Sequence, residues 1–259
     1  MFRKPSLFRA KVARLLLRVF NSIENNGDCN FETNGEKAFI QNLFKTIKTD
    51  AVVLDIGANI GGYTELILKE ALKNKADIHL HLFEPTQCCF STLTEKYSNF
   101  DCVTLNNFGL SDISERSKIY YDKEKSGLAS LYQRNLKSYA MELNQSEDIH
   151  LIRLESYIED NRINHIDFVK IDIEGHELRA FEGFGVYLDS DFIDYIQFEY
   201  GGANLDSGAS LMEIYQVLSD RGFVVAKVMP AGLEVRDYYP YMDNFNYANY
   251  VAVSRNKIQ

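Results

Sequence analysis

Val52-Val53-Leu54-Asp55-Ile56-Gly57-Ala58-Asn59-Ile60-Gly61-Gly62-Tyr63-Thr64 decides the fold. An apolar run ends in an acid, a glycine turn follows, and a helix-compatible segment comes next. Parallel strands hand over to helices in this way above nucleotide-like ligands. The glycine spacing narrows the ligand. A dinucleotide fingerprint is G-x-G-x-x-G, with its middle glycine where the backbone approaches the pyrophosphate. Laid from Gly57, that position is Asn59, so the pattern fails. D-x-G-x-N-x-G remains. Its carboxylate, two residues before the first glycine, repels a pyrophosphate. It suits a ligand with a cationic amino group and ribose hydroxyls, such as S-adenosylmethionine (AdoMet).

His79-Leu80-His81-Leu82-Phe83-Glu84-Pro85 reads as a second strand ending in Glu84. Pro85 has no N–H to continue a ladder. Glu84 follows Gly61 by 23 residues, room for one crossover helix. An acid at the end of the neighbouring strand accepts hydrogen bonds from a ribose diol, in NAD enzymes as well. Asp55 and the missing middle glycine separate the two cofactors.

Composition bounds the rest. A chain of 259 residues, 46% hydrophobic, supports one large domain with additions. A net charge of −9 disfavours a nucleic-acid partner. Cys29, Cys88, Cys89 and Cys102 form no C-x-x-C pair or zinc spacing, which points to a reducing, cytoplasmic compartment. Residues 1–23 hold Arg3, Lys4, Arg9, Lys11, Arg14 and Arg18 and no acid. Phe8, Val12, Leu15, Leu16, Val19, Phe20 and Ile23 fall on one helical face. The apolar runs are too short for a membrane span. Two readings follow for residues 1–30, taken as a basic amphipathic helix and linker. The helix lies on an anionic membrane surface, or it packs on the core or on a second subunit.

Residues 31–259 read as one domain. Strands are expected at 51–55, 78–83, 102–106, 167–172 and 194–199, and helices at 37–47, 63–74, 88–97, 155–161, 175–183 and 209–221. Such alternation predicts an α/β, doubly wound, mostly parallel sheet, with ligands at the carboxyl ends of its strands. Asp55, Glu84, Asp172 and Glu199 all fall at such ends. Residues 108–154 break the alternation and read as an insertion that covers a cofactor or builds an acceptor site. It holds a strand at 117–121, a polar helix-like piece to about Gln145 and a strand near 149–154. Gly201-Gly202-Ala203-Asn204 reads as a flexible loop, and 223–228 with 250–253 as a closing antiparallel hairpin.

The other informative stretch is Asp167-Phe168-Val169-Lys170-Ile171-Asp172-Ile173-Glu174-Gly175-His176-Glu177. Lys170, Asp172 and Glu174 share one face if the strand stays extended. A buried cluster of this kind costs stability, which marks a functional-site candidate. A structural salt-bridge network is the alternative.

The chain resembles the FkbM-type AdoMet-dependent O-methyltransferases. The likeness rests on Val53 to Gly61, Phe83-Glu84-Pro85, Leu110-Ser111-Asp112 and Lys170 to Glu177, in that family's order, from about Asn34 to Glu199. It implies a Rossmann-like methyltransferase sheet and a methyl acceptor with a sugar, glycan, glycolipid or polyketide hydroxyl. It implies Asp55, Gly57, Asn59, Gly61, Tyr63, Glu84, Asn34, Glu36, Ser111 and Asp112 as cofactor contacts. Catalytic candidates are Asp172, Glu174, His176 and Lys170. Asp172 reads as a wall of the site, Glu174 and His176 as alternative bases, and Lys170 as a partner for the acceptor or the acids. Glu199 and Ser130 are candidate acceptor contacts. No compact metal motif is present, and no metal is expected. A nucleotide-sugar or NAD oxidoreductase and a non-catalytic peripheral membrane module are the competing readings.

Overall fold

The computed structural model describes residues 6–47 and 49–258. Arg3 and Lys4 of the basic N-terminal stretch lie outside them. Eleven strands are present among the described residues. They are β1 (Ala51–Ile56), β2 (Ile78–Phe83), β3 (Val103–Asn106), β4 (Gly109–Leu110), β5 (Glu115–Tyr121), β6 (Gln145–Ile152), β7 (Ile166–Ile171), β8 (Ile193–Tyr200), β9 (Phe223–Met229), β10 (Gly232–Val235) and β11 (Ala248–Ser254). The helices are α1 (Leu7–Ile23), α2 (Glu36–Thr46), α3 (Gly62–Asn74), α4 (Gln87–Tyr97), α5 (Leu154–Asn161), α6 (Glu177–Gly183), α7 (Gly202–Ser207) and α8 (Leu211–Asp220).

The main sheet has the order β10-β9-β11-β8-β7-β1-β2-β3. β3, β2, β1, β7 and β8 run parallel, while β11 is antiparallel to both β8 and β9. Strand side chains alternate between two cores. Val53 and Phe168 pack with Phe39, Ile40 and Phe44 of α2, Ile67 of α3 and Leu93 of α4. Leu54, Ile56, Val169 and Ile171 pack with Tyr157 and Ile158 of α5, Phe181 of α6 and Ile214 and Leu218 of α8. Both faces are thus covered, which is why the central strands read as nearly continuous apolar runs.

Several expectations need correction. The polar piece before Gln145 is not a helix. It is irregular, with one bridge between Tyr120 and Ser130 and a single 3-10 turn at Lys137–Tyr139. Leu136 and Leu143 are both buried, yet only the 3-10 turn between them is helical, so its apolar residues dock one by one. Around it β4, β6 and β5 form a second, small sheet with Ile119, Ile149 and Leu151 buried on it. Residues 201–204 are not a loose loop but open α7, where Asn204 Oδ1 accepts from Gly201 N at 2.8 Å. The closing strands are not a simple hairpin. β10 intervenes and pairs with the outer side of β9, so β11 is wedged between β9 and β8. Residues 21–35 are polar and turn-rich and read as a linker, but 21–23 complete α1 and the rest is docked. Asn25 Nδ2 donates to Asn34 O at 2.7 Å and to Val228 O at 3.0 Å, and Gly27 N donates to Tyr247 O at 2.7 Å. α1 buries no residue, so it does not pack into the core.

Candidate active site

The turn after β1 is built by hydrogen bonds to β2. Gly57 N and Ala58 N both donate to Phe83 O, at 2.9 and 3.1 Å. Asn59 adopts φ +48° and donates its N–H to Glu84 Oε2 at 2.9 Å. Gly57 has φ +84°, and a Cβ there would lie 1.9 Å from the Asp172 carbonyl oxygen. Only glycine lets the two motifs touch. Asp172 N in turn donates to Ile56 O at 3.0 Å. α3 begins at Gly62 without a side-chain cap. Its first-turn N–H groups are suited to a carboxylate.

A cavity lies above this turn. Asn59, Glu84, Pro85, Leu110, Ser126, Asp172, Glu174 and His176 line it, with Ile119, Ile149 and Leu151 of the small sheet. The inserted segment therefore covers the cavity and supplies much of its apolar wall. Asn59 Nδ2 donates to Ser126 O at 3.1 Å, which ties the turn to that cover. Glu84 is buried, and burial pushes its carboxyl up against the pull of Thr86 and Asn59. Oε1 accepts from Thr86 N and Thr86 Oγ1 at 2.8 and 2.5 Å. With the bond from Asn59, three of about four acceptor positions are used. One remains for a ligand hydroxyl.

Asp55 sits beneath the turn and not in this cavity wall. Its Oδ2 accepts from Thr64 Oγ1 at 2.6 Å, and burial pushes its pKa up to about 6. A second polar network joins Asn34, Glu36, Tyr63 and Lys170. Tyr63 Oη donates to Gln197 Oε1 at 2.5 Å, and Gln197 Nε2 donates to Glu36 Oε2 at 2.5 Å. Asn34 Nδ2 donates to Glu36 Oε1 at 2.7 Å. Lys170 Nζ lies 5.4 Å from the Tyr63 ring centroid and 3.3 Å from Asp172 Oδ2. Burial opposes its charge, but Asp172, then Glu36 and Glu199, outweigh burial and hold it protonated.

β7 ends at Ile171, so the expected extended face of Lys170, Asp172 and Glu174 is broken at its end. Glu174 instead enters the left-handed region at φ +50°. The acids still converge. Carboxylate oxygens of Asp172, Glu174 and Glu199 lie within 4.8 Å of one another. Like charges this close disfavour ionisation of their neighbours. Burial, then Asp172, push Glu174 up to about 8, against the Arg134 guanidinium 2.5 Å away. Burial, then Asp172 and Glu174, push Glu199 well above the usual carboxylate range.

His176 is placed differently from a free base. Its Nδ1 lies 2.9 Å from Tyr132 Oη and its Nε2 2.8 Å from Ser111 Oγ. Ser111 Oγ donates to Asp112 Oδ1 at 2.9 Å. The consistent assignment has Tyr132 donating to Nδ1 and Nε2–H donating to Ser111. Burial lowers the imidazole to about 4. Both nitrogens are occupied, so His176 connects the Ser111-Asp112 turn to the insertion. Asp112 also pairs with Arg179 at 3.3 Å. Ser130 Oγ donates to Glu174 O at 2.8 Å and accepts from Tyr132 N at 3.2 Å, so its one donor is spent on holding the acid loop. Sequence reasoning missed Tyr132, Arg134, Thr86 and Gln197. Gln197 alone carried a signal: a polar amide inside the apolar run Tyr195-Ile196-Gln197-Phe198, fully buried here.

The chain matches the methyltransferase FkbM domain over residues 55–225. It belongs to the FkbM methyltransferase family. Its cofactor is AdoMet. The cavity fits that group: Glu84 has an acceptor position for the ribose diol and the walls are apolar for the base, while the uncapped start of α3 follows from the same turn. No curated protein matches this FkbM methyltransferase in sequence. The solved structures similar to it are distant. A precorrin-6y C5,15-methyltransferase from Geobacter metallireducens GS-15 is 12% identical, with TM-score 0.40, covering 83% of this chain and 86% of that one. A putative methyltransferase from Streptococcus mutans in complex with SAH is 9% identical, with TM-score 0.43, covering 82% and 94%. A putative rRNA-methylase from Clostridium thermocellum is 10% identical, with TM-score 0.44, covering 85% and 97%.

Proposed function

We propose that this enzyme transfers a methyl group to a hydroxyl of an uncharged acceptor, of the sugar, glycan, glycolipid or polyketide type. The observation that carries this is the convergence of Asp172, Glu174 and Glu199 beside the cofactor cavity. An alcohol is a poor nucleophile and needs a positioned base whose pKa lies near the working pH. Burial and the neighbouring Asp172 raise the carboxyls of Glu174 and Glu199. Of the two, Glu174 is fixed by Arg134 and takes the hydroxyl proton. Lys170 balances Asp172. When bound, AdoMet supplies an electrophilic methyl on a sulfonium. The net charge of −9 and the acid cluster repel a phosphodiester backbone, which argues against an RNA acceptor. Arg134, through Glu174 and Asp206, and Asn59, through Ser126, hold the insertion over the site and exclude water. Four free thiols support a reducing, cytoplasmic setting.

The test is methyl transfer from AdoMet carrying a 13C-labelled methyl to a panel of hydroxylated glycans, glycolipids and polyketides. The label is expected as an O–CH3 resonance. Label on carbon or nitrogen, or calorimetric binding of NAD in place of AdoMet, refutes the proposal.

A further inference from the structure

α1 carries a surface that the other described residues leave uncovered. None of its residues is buried, and Leu7, Phe8, Leu15, Leu16 and Ile23 are each at least 60% exposed. At about 100° per residue, Phe8, Val12, Leu15, Leu16, Val19 and Ile23 form one apolar stripe. Lys11, Arg14 and Arg18 lie along one flank, Arg9 near the other border, and the helix holds no acid. The stripe continues onto the body. The Phe20 ring meets Tyr241 edge-on, with centroids 6.0 Å apart, and Tyr239 stacks on Tyr241 at 6.1 Å. Both tyrosines are more than half exposed, at 56% and 51%. Tyrosines in such positions favour the water–lipid boundary.

We propose that α1 and the Tyr239–Tyr241 pair form a docking face for a bilayer surface rich in anionic lipids. Charge complementarity selects this occupant. The face is cationic on a chain whose net charge is −9, so an anionic surface attracts the helix and repels the body. Self-pairing of α1 across a two-fold axis sets four cations against four like cations. No described helix is long and apolar enough to cross a membrane, so α1 lies in the interface. Its base is fixed to the body. Glu24 accepts from Arg236 and, at 3.4 Å, from Lys227. The next residues lead to Asn34 and Glu36 of the polar network around Lys170. Docking therefore orients the acid cluster relative to the lipid surface.

The experiment is sedimentation of the full-length protein with vesicles of phosphatidylcholine alone, or with about a third phosphatidylglycerol, at low salt and at roughly 0.5 M salt. Binding is expected to the anionic vesicles at low salt and to be lost at high salt. The variant Lys11→Gln/Arg14→Gln/Arg18→Gln is expected to partition about a hundredfold more weakly. Leu15→Ser/Val19→Ser should also weaken binding. Neither variant should lower the melting temperature, because none of these side chains is buried. Absence of binding to anionic vesicles at low salt overturns the proposal, as does equal binding to neutral vesicles. A lipid-free dimer that these variants dissociate, with no vesicle binding, makes the face a self-association surface and overturns it too.

Discussion

Arg134 of the inserted segment lies 2.5 Å from Glu174 at the end of the β7 motif, and the same guanidinium reaches Asp206 of α7 at 3.3 Å. Both partners of the closer pair are largely buried, with side chains 8% and 13% exposed. One arginine thus binds the cover of the site to its central acid and to α7 beyond β8. Removing one member of such a pair leaves the other charge uncompensated, which costs more than the pair contributes.

Glu174→Gln is expected to lower kcat by roughly a hundredfold, while AdoMet affinity stays within a few-fold. Arg134→Ala removes the cation that holds the Glu174 pKa down. The acidic limb of its pH–rate profile should move upward by about one unit. Single-turnover rates and calorimetry check both. Wild-type rates in Glu174→Gln place the base elsewhere.

Glu84→Ala should weaken AdoMet binding by roughly 1.5–3 kcal/mol, because it loses the ribose acceptor and frees the Asn59 N–H. Asp55→Asn should act more on stability than on affinity, since Asp55 holds Thr64 at the start of α3. Equal and unchanged affinities in both variants count against the cofactor placement.

His176→Ala should lower the melting temperature and raise the KM for AdoMet, because it disconnects Tyr132 from Ser111. The pH–rate profile between about pH 5 and 8 should keep its shape, since the imidazole is neutral throughout that range. Loss of an ionisation in that window identifies the histidine as the base and defeats this reading.

Stability should fall as pH rises from about 4.5 to 7. Glu177 is buried and its pKa is pushed up to about 7 by burial. An unfolded glutamate ionises near 4.3, so the folded state binds more protons across that window. The stabilisation is complete below the unfolded pKa and lost as pH passes the folded one. Glu177 Oε1 accepts from Ile173 N and Gly175 N, while Oε2 has no partner among the described residues. Glu177→Gln keeps an acceptor and removes the charge, so it should flatten the profile, by on the order of 3 kcal/mol at most. Thermal melts at pH 5.5 and 8 decide this. An unchanged difference between wild type and variant assigns the slope to other carboxyls.

EDTA should leave methyl transfer unchanged. The acids of the cluster already face Lys170 and Arg134, and a proton held by Glu199 balances the rest. Activity that vanishes with chelator and returns with magnesium shows that these oxygens hold a cation.

The central strands were legible because each is a short apolar run ended by an acid or a glycine turn, and that pattern is local. Asp55, Glu84, Asp172 and Glu199 followed from it, because parallel topology delivers strand ends to one edge. The insertion was legible as a break in the pattern, and its strands near 117–121 and 149–154 are β5 and β6. The segment between them was not legible, because it is held by partners distant in sequence.

From the sequence alone came the doubly wound sheet, the glycine turn, the acids at four strand ends and the basic stripe of α1. Each is a matter of spacing along the chain. Tertiary structure alone decided which of those residues are free to act. It turned Ser130 and His176 into connectors by spending the Ser130 donor and both imidazole nitrogens, and brought Arg134 to Glu174 across 40 residues of chain. It also left the α1 stripe uncovered. The physical reason is that a side chain's availability depends on burial and on partners, and long-range packing sets both.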